Sequence, residues 1–254
     1  MGINVGNNSL NISAIRNNYF VNPYRVGFTS LNDSFKREVI DEASLNNALK
    51  TNPEIKKILN EAHIPAKLNM HTWNNLIEGH AKDTREITNG IIVYLPKHLR
   101  QEIDIKSLRE AAYLHDIGKA LIPEKILNKE GKLTAKEENI MHKHSELSYE
   151  LLKSCGIHSN TLELVKYHHQ NSSHTGYPAV KNEFLASPEM QILSLADKYS
   201  ALTENRPYKE AFSKNKALSI LYKDVKSGDI HPFIFKALVN YVNSDKVAQV
   251  SQKV

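Results

Sequence analysis

The sequence contains almost no cysteine and no long apolar segment. Cys155 is the single cysteine among 254 residues, so the chain cannot close an intramolecular disulfide, which is typical of a reducing compartment. No apolar run approaches the roughly 20 residues that a membrane-spanning helix needs. The N-terminus also lacks the basic-then-apolar pattern of a secretory signal. We therefore expect a cytoplasmic protein without a membrane anchor.

A strong excess of one charge is also missing. Lys and Arg number 33 against 28 Asp and Glu, which gives a net charge of +5, and the basic residues are spread along the chain. This balance argues against a double-stranded nucleic acid as a partner and suits a small anionic substrate. With 41% hydrophobic residues the chain can bury a sizeable core.

Alternating strand patterns and internal repeats are absent as well, so the sequence predicts an all-α architecture. Residues 1–33, rich in Asn, Gly and Ser, predict an irregular N-terminal arm. Residues 34–68 predict a helical extension with two short helices, which either caps the main domain or contacts a second copy or a regulatory partner. Residues 69–245 predict the main domain, and residues 246–254 a polar tail.

Histidine, by contrast, is abundant, with twelve residues. His115 and Asp116 stand together in an apolar segment that reads as one helix, where an ionised Asp is costly to bury unless a cation meets it. Their positions, about 100° apart on that helix, would let them address different sides of a site. His142 falls roughly on the opposite face of its helix from His144.

Helical registers place further imidazoles and carboxylates on apolar faces. The inward set comprises His80, His115, Asp116, His144, His168, His169 and Asp197, with His174 as a further candidate. One such residue is usually an ordinary core residue, but so many together favour a metal site. They exceed the needs of one ion, so two ions that share a carboxylate are the economical arrangement.

Several motifs carry a family resemblance. His115-Asp116 with Lys119 resembles the signature of the HD superfamily of metal-dependent phosphohydrolases. Other segments resemble its HD-GYP subfamily of cyclic dinucleotide phosphodiesterases, over roughly residues 70–243. These segments are His144-Ser145-Glu146-Leu147, Tyr167-His168-His169-Gln170, Thr175-Gly176-Tyr177-Pro178, Ala196-Asp197-Lys198-Tyr199, and Arg206-Pro207-Tyr208 with Lys209.

The resemblance implies an HD-domain helical bundle around a buried dinuclear metal site. One divalent ion would be held by His80, His115, Asp116 and Asp197, and the other by Asp116, His144, His168 and His169, with Asp116 as the bridge. Iron is favoured and manganese is the next choice. The implied activity is hydrolysis of a cyclic dinucleotide, cyclic di-GMP or cyclic GMP-AMP, to a linear dinucleotide, with further cleavage to mononucleotides left open.

The resemblance also assigns residues to the substrate. Asp116 and Lys119 would be catalytic, and Lys119, Tyr177, Arg206 and Lys209 would lie near the phosphates and bases. The Gly176-Tyr177-Pro178 turn predicts a glycine free to take positive φ and a tyrosine presented for stacking on a base.

Some positions depart from the subfamily pattern. Gln170 replaces a usual Glu, Ser173-His174 a usual Asp-Gly, and Ser200 a usual Asp. Leu76 stands where some members carry a Glu that allows a third ion, so two ions are expected.

Two other interpretations remain open. An HD phosphohydrolase acting on mononucleotides or alarmones would usually need only one ion. A non-catalytic module that binds a cyclic dinucleotide or a partner protein would keep the fold without turnover.

Overall fold

The computed structural model describes residues 40–205 and 210–250, with side chains through residue 244. The predicted N-terminal arm, the start of the helix predicted from residue 34, and both Arg206 and Lys209 lie outside these residues. These described residues belong to one compact unit. The described residues contain helices and no strand, so the predicted all-α class is confirmed.

The helices follow one another through short connections. The first group is α1 (Glu42–Thr51), α2 (Pro53–Glu61), α3 (Met70–Leu76), α4 (Lys82–Tyr94), α5 (Lys97–Glu102) and α6 (Ile105–Leu114). The second is α7 (Glu124–Leu127), α8 (Ala135–Ser154), α9 (Ser159–Tyr167), α10 (Pro188–Thr203), α11 (Lys214–Lys226) and α12 (Pro232–Val250). A π turn (Ile77–Ala81) joins α3 to α4, and a 3₁₀ helix (Ile117–Leu121) follows α6. No described helix is both long and apolar enough to cross a bilayer.

Side-chain caps explain where several helices begin. Asn52 Oδ1 accepts hydrogen bonds from the amides of Glu54 and Ile55 at the start of α2. Thr134 and Glu137 form a capping box at the start of α8, in which each side chain accepts a bond from the other's backbone amide. Such caps satisfy amide groups that a helix end would leave without a partner, and each contributes about 1 kcal/mol.

The core is formed where α4, α6, α8, α9 and α10 pack on one another. Its centre consists of fully buried aliphatic side chains, among them Ile91, Leu108, Leu147, Leu151 and Leu193. Burial of one such side chain stabilises the fold by about 1.5–3 kcal/mol. This packing fixes the helices whose ends and inner faces carry the inward His and Asp residues.

The two N-terminal helices pack on α8. Asn52 Nδ2 donates to Glu150 Oε2 at 3.1 Å and to Ser154 Oγ at 3.0 Å, near the end of α8. The helix that carries His144 is therefore braced by the 42–61 segment of the chain.

The backbone corrects two features of the predicted registers. Helix α6 ends at Leu114, and Asp116 has φ −102° and ψ 5°, so His115 and Asp116 do not belong to one continuous α-helix. The helix expected across His80 is interrupted by the π turn, where Gly79 has φ −105° and ψ −105°. Both irregularities lie at residues of the inward set, as is common for π turns at functional sites.

Candidate metal centre

Seven inward side chains come together from five parts of the fold. His80 comes from the π turn, His144 from α8 and Asp197 from α10. His115 and Asp116 lie between α6 and the 3₁₀ helix, and His168 and His169 follow α9 directly. All are buried except His169, which is half-buried.

The seven residues form two groups, and each group has its ligand atoms within 4.8 Å of one another. The first group is His80, His115, Asp116 and Asp197, and the second is Asp116, His144, His168 and His169. Asp116 belongs to both groups. The geometry of the described residues gives these two sets, and the family resemblance implies the same two sets.

The two oxygens of Asp116 face different groups. Its Oδ2 lies 3.4 Å from His115 Nε2 and 3.7 Å from His80 Nε2. Its Oδ1 lies 3.2 Å from His144 Nε2 and 3.8 Å from His168 Nε2. A carboxylate with this orientation can bridge two cations.

Asp197 reaches both groups as well. Its Oδ1 lies 2.9 Å from His80 Nε2 and 3.7 Å from His115 Nε2, and its Oδ2 lies 3.8 Å from His169 Nδ1. The second carboxylate therefore adds negative charge along the whole length of the cluster.

Three of the histidines are held by backbone carbonyls in the same way. His115 Nδ1 contacts Ala112 O at 3.1 Å, and His144 Nδ1 contacts Met141 O at 2.8 Å. His168 Nδ1 contacts Val165 O at 2.7 Å. Because a carbonyl can only accept, each Nδ1 carries the proton, and each Nε2 presents a lone pair to the cluster when the ring is neutral.

The cluster fits a bound cation. Within the described residues, His115 Nε2 and Asp116 Oδ1 are fully buried and make no hydrogen bond. A buried polar atom without a partner costs about 1–3 kcal/mol, and more when it is charged. Imidazole nitrogen with carboxylate oxygen is a donor set that suits Fe, Mn, Zn and Ni. A cation would satisfy both atoms, so these residues can hold metal.

Charges within the cluster shift the pKa values in opposite directions. Burial lowers the pKa of His115, but Asp116 and Asp197 outweigh it and raise that pKa to about 10. Burial raises the pKa of Asp116, yet Lys119 and His115 hold it well below its usual value. Burial, with His115 and His144 nearby, lowers the pKa of His168 to about 3. In the metal-free cluster these shifts favour an ionised Asp116, a neutral His168 and a protonated His115.

Lys119 contacts the bridging carboxylate directly. Its Nζ lies 2.5 Å from Asp116 Oδ2, while a fifth of its side chain stays exposed. It reaches this position from the 3₁₀ helix that follows α6. An ammonium here can neutralise charge on Asp116 and meet an anion that enters the site.

Gly118 allows the 3₁₀ helix to lie against α8. A Cβ at this position would come within 2.2 Å of His144 O and 2.6 Å of Ser148 N. The Gly118 amide donates to Ser148 Oγ at 2.8 Å. Only glycine permits this approach, which brings Asp116 beside His144.

The Gly176-Tyr177-Pro178 loop lies over the second group. The sequence predicted that its glycine serves to take a positive φ, and this prediction is wrong. Gly176 is not among the described glycines with positive φ. A Cβ there would instead come within 1.9 Å of His169 O, so the glycine is required by close packing. The Tyr177 ring stacks on His142, with ring centroids 3.8 Å apart, and lies 4.6 Å from the His169 ring. The bond between Tyr177 and Pro178 is cis.

His174 does not join the cluster. Its Nε2 contacts Phe184 O at 2.8 Å, and its backbone has a positive φ of 57°. The interpretation of His174 as a candidate ligand is therefore wrong, because its ring is used to hold the loop that follows His169.

Sequence reasoning missed three residues that support the cluster. Ser200 Oγ lies 3.1 Å from His80 Nδ1, and Gln170 Nε2 donates to Pro178 O at 2.8 Å. His142, assigned to the far side of its helix, stacks on Tyr177. The departures from the subfamily pattern at Gln170 and Ser200 were the signal that could have pointed to those two residues.

Comparison with known proteins places the chain in a family. The model of the HD domain family matches residues 73–232, and the chain belongs to that family. The HD resemblance of the His115-Asp116 motif is therefore confirmed.

Curated relatives resemble part of the chain. A cyclic di-GMP phosphodiesterase response regulator, RpfG of Xanthomonas campestris, is 37% identical over 48% of this chain and 32% of its own length. A 3′3′-cGAMP-specific phosphodiesterase of Vibrio cholerae is 32% identical over 63% of this chain and 38% of its own length. A cyclic di-GMP phosphodiesterase of the same species is 31% identical over 67% and 37%. The chain spans between 28% and 47% of the length of these and other curated relatives that it matches.

Proposed function

We propose that this chain hydrolyses a phosphodiester bond of a cyclic dinucleotide, cyclic di-GMP or cyclic GMP-AMP, with two divalent metal ions. The observation that carries the proposal is the pair of ligand groups that share Asp116. The names of the relatives support this substrate class, since each is a cyclic di-GMP or 3′3′-cGAMP phosphodiesterase. The first product is a linear dinucleotide.

One ion would be held by His80, His115, Asp116 and Asp197. The other ion would be held by Asp116, His144, His168 and His169. Bound divalent ions supply positive charge to the phosphoryl oxygens and lower the pKa of water that attacks phosphorus. Iron is our first expectation and manganese the second, because both accept mixed imidazole and carboxylate ligands.

The side chains around the cluster add their own chemistry. Lys119, beside Asp116 and partly exposed, can stabilise negative charge that grows on a phosphoryl oxygen during attack. Burial, together with Asp116 and Asp197, raises the pKa of Tyr177 well above its usual value. Tyr177 thus remains a neutral phenol and can donate a hydrogen bond to a phosphate oxygen. Arg206 and Lys209, which lie outside the described residues, remain predicted substrate contacts.

The direct test is turnover by the purified chain after anaerobic loading with Fe(II) or Mn(II). We expect cyclic di-GMP or 3′3′-cGAMP to yield a linear dinucleotide, separated by liquid chromatography. A guanosine tetraphosphate and a deoxynucleoside triphosphate serve as alternative substrates. Cleavage of only these would favour a mononucleotide or alarmone phosphohydrolase. Tight binding of a cyclic dinucleotide without product would favour a non-catalytic module.

A further inference from the structure

The Tyr177 ring is held from one side by a residue that belongs to no ligand group. His142 stacks on it with ring centroids 3.8 Å apart and an interplanar angle of 14°. His142 lies on α8, two residues before His144, and is only partly buried. Near-parallel rings at this distance attract through dispersion and buried area, so the contact restricts the tyrosine ring.

The backbone on both sides of Tyr177 is held by one buried side chain. Gln170 Nε2 donates to Pro178 O at 2.8 Å, and Gln170 Oε1 accepts from the Gly176 amide at 3.0 Å. Tyr177 N also donates to His169 O at 3.3 Å. A glutamine can make this pair of contacts because it both donates and accepts, whereas an ionised glutamate can only accept.

The held ring borders the second ligand group. Its centroid lies 4.6 Å from that of His169 and 6.0 Å from that of His144. Since Gln170 fixes the backbone on both sides of Tyr177, the tyrosine side chain can still rotate only about its own bonds. His142 limits that rotation.

We propose that His142 is a positioning residue, which holds the Tyr177 ring beside the metal ligands so that the phenol meets the substrate in one orientation. The inference rests on the proposed function, because it assigns Tyr177 a substrate contact. His142 itself touches neither substrate nor ligand atoms in this role. Its loss should therefore weaken substrate binding and leave metal binding intact.

The test compares His142→Ala and His142→Phe with the unaltered chain. For His142→Ala we expect KM for the cyclic dinucleotide to rise about 3- to 10-fold, the range of a lost aromatic pair. His142→Phe should restore KM, because phenylalanine keeps a stacking face without the ring nitrogens. Asn139→Ala, an exposed position one turn earlier on α8, is the matched control and should leave KM unchanged. Bound metal should be equal in all four proteins.

A double-mutant cycle separates positioning from a general structural effect. In a Tyr177→Ala background, His142→Ala should change KM by less than about twofold, because the residue through which it acts is gone. An equal rise of KM in both backgrounds would overturn the proposal. So would loss of metal in His142→Ala, or failure of His142→Phe to restore KM.

Failure of the proposed function would be recognised separately. If the unaltered, metal-loaded chain cleaves neither cyclic dinucleotide, the double-mutant cycle is measured by thermal unfolding instead. Its four proteins are the unaltered chain, His142→Ala, Tyr177→Ala and the double variant. Non-additive losses of Tm for His142→Ala and Tyr177→Ala support the holding contact, and additive losses overturn it.

Discussion

At the scale of single residues, the cluster depends on which nitrogen of each histidine faces inward. His115, His144 and His168 each direct Nδ1 to a carbonyl three residues earlier, so Nε2 faces the carboxylates. His80 has a different partner, the Ser200 hydroxyl at 3.1 Å. The identity of the inward residues could be predicted from the sequence, because helical spacing reveals which positions share a face. The support of His80 by Ser200 could not, because it joins residues 120 positions apart.

Ser200→Ala tests that support. Without the hydroxyl, His80 loses a partner that orients its ring, so the first group should bind its ion about 10-fold more weakly. Affinity is measured by competition with a chelator of known strength. Ser194→Ala, which removes another buried hydroxyl from α10, is the control and should bind metal like the unaltered chain. Equal affinity in Ser200→Ala would show that the contact does not orient His80.

Metal uptake should release a proton, because His115 must lose one before its Nε2 can bind. Its pKa is raised to about 10 in the metal-free protein, against 6.5 for an ordinary histidine. Protonated His115 therefore stabilises the metal-free folded state fully below pH 6.5, and this stabilisation is lost as the pH rises through about 10. His168 and His169 have lowered pKa values and are already neutral at pH 7.

We expect metal binding to release about one proton, from His115. The apparent affinity for metal should therefore rise about tenfold per pH unit between pH 7 and 9. Calorimetric titration in two buffers of different ionisation enthalpy measures the proton count. An affinity that does not change over this range would contradict a protonated His115.

At the scale of helices, breaks in regular structure position the ligands. Helix α6 ends at Leu114, which frees Asp116 to lie between the two groups, and the π turn at Ile77–Ala81 brings in His80. Periodicity predicted the helices and their inward faces, but it assumes a constant rise and rotation. It therefore missed the π turn and the 3₁₀ helix, which depend on tertiary packing.

Gly118→Ala tests the packing of the 3₁₀ helix on α8. The added methyl group would overlap backbone atoms of His144 and Ser148, so the two elements must separate. We expect a loss of about 2–4 kcal/mol in the free energy of unfolding and a lower metal content, because Asp116 moves away from His144. Chemical denaturation and metal analysis measure both quantities. Unchanged stability with full metal content would mean that the close approach is not required.

At the scale of the whole molecule, the HD domain is framed by helices at both ends of the described chain. The N-terminal pair packs on α8, and α12 packs on α4. Gly90 on α4 permits the second contact, since a Cβ there would come within 2.5 Å of the Tyr241 ring. Helix α8, which carries His144, and helix α4, which directly follows the π turn of His80, are thus each braced from outside, which favours a preformed site over one assembled by the metal.

Seven side chains, we propose, hold two ions with Asp116 between them. The most direct measurement is the metal content per chain, by mass spectrometry, after anaerobic loading and removal of free ions. We predict two equivalents for the unaltered chain and fewer than one for Asp116→Asn, which keeps the shape of the side chain but removes its charge. A single equivalent in the unaltered chain, or two in Asp116→Asn, would contradict the shared carboxylate.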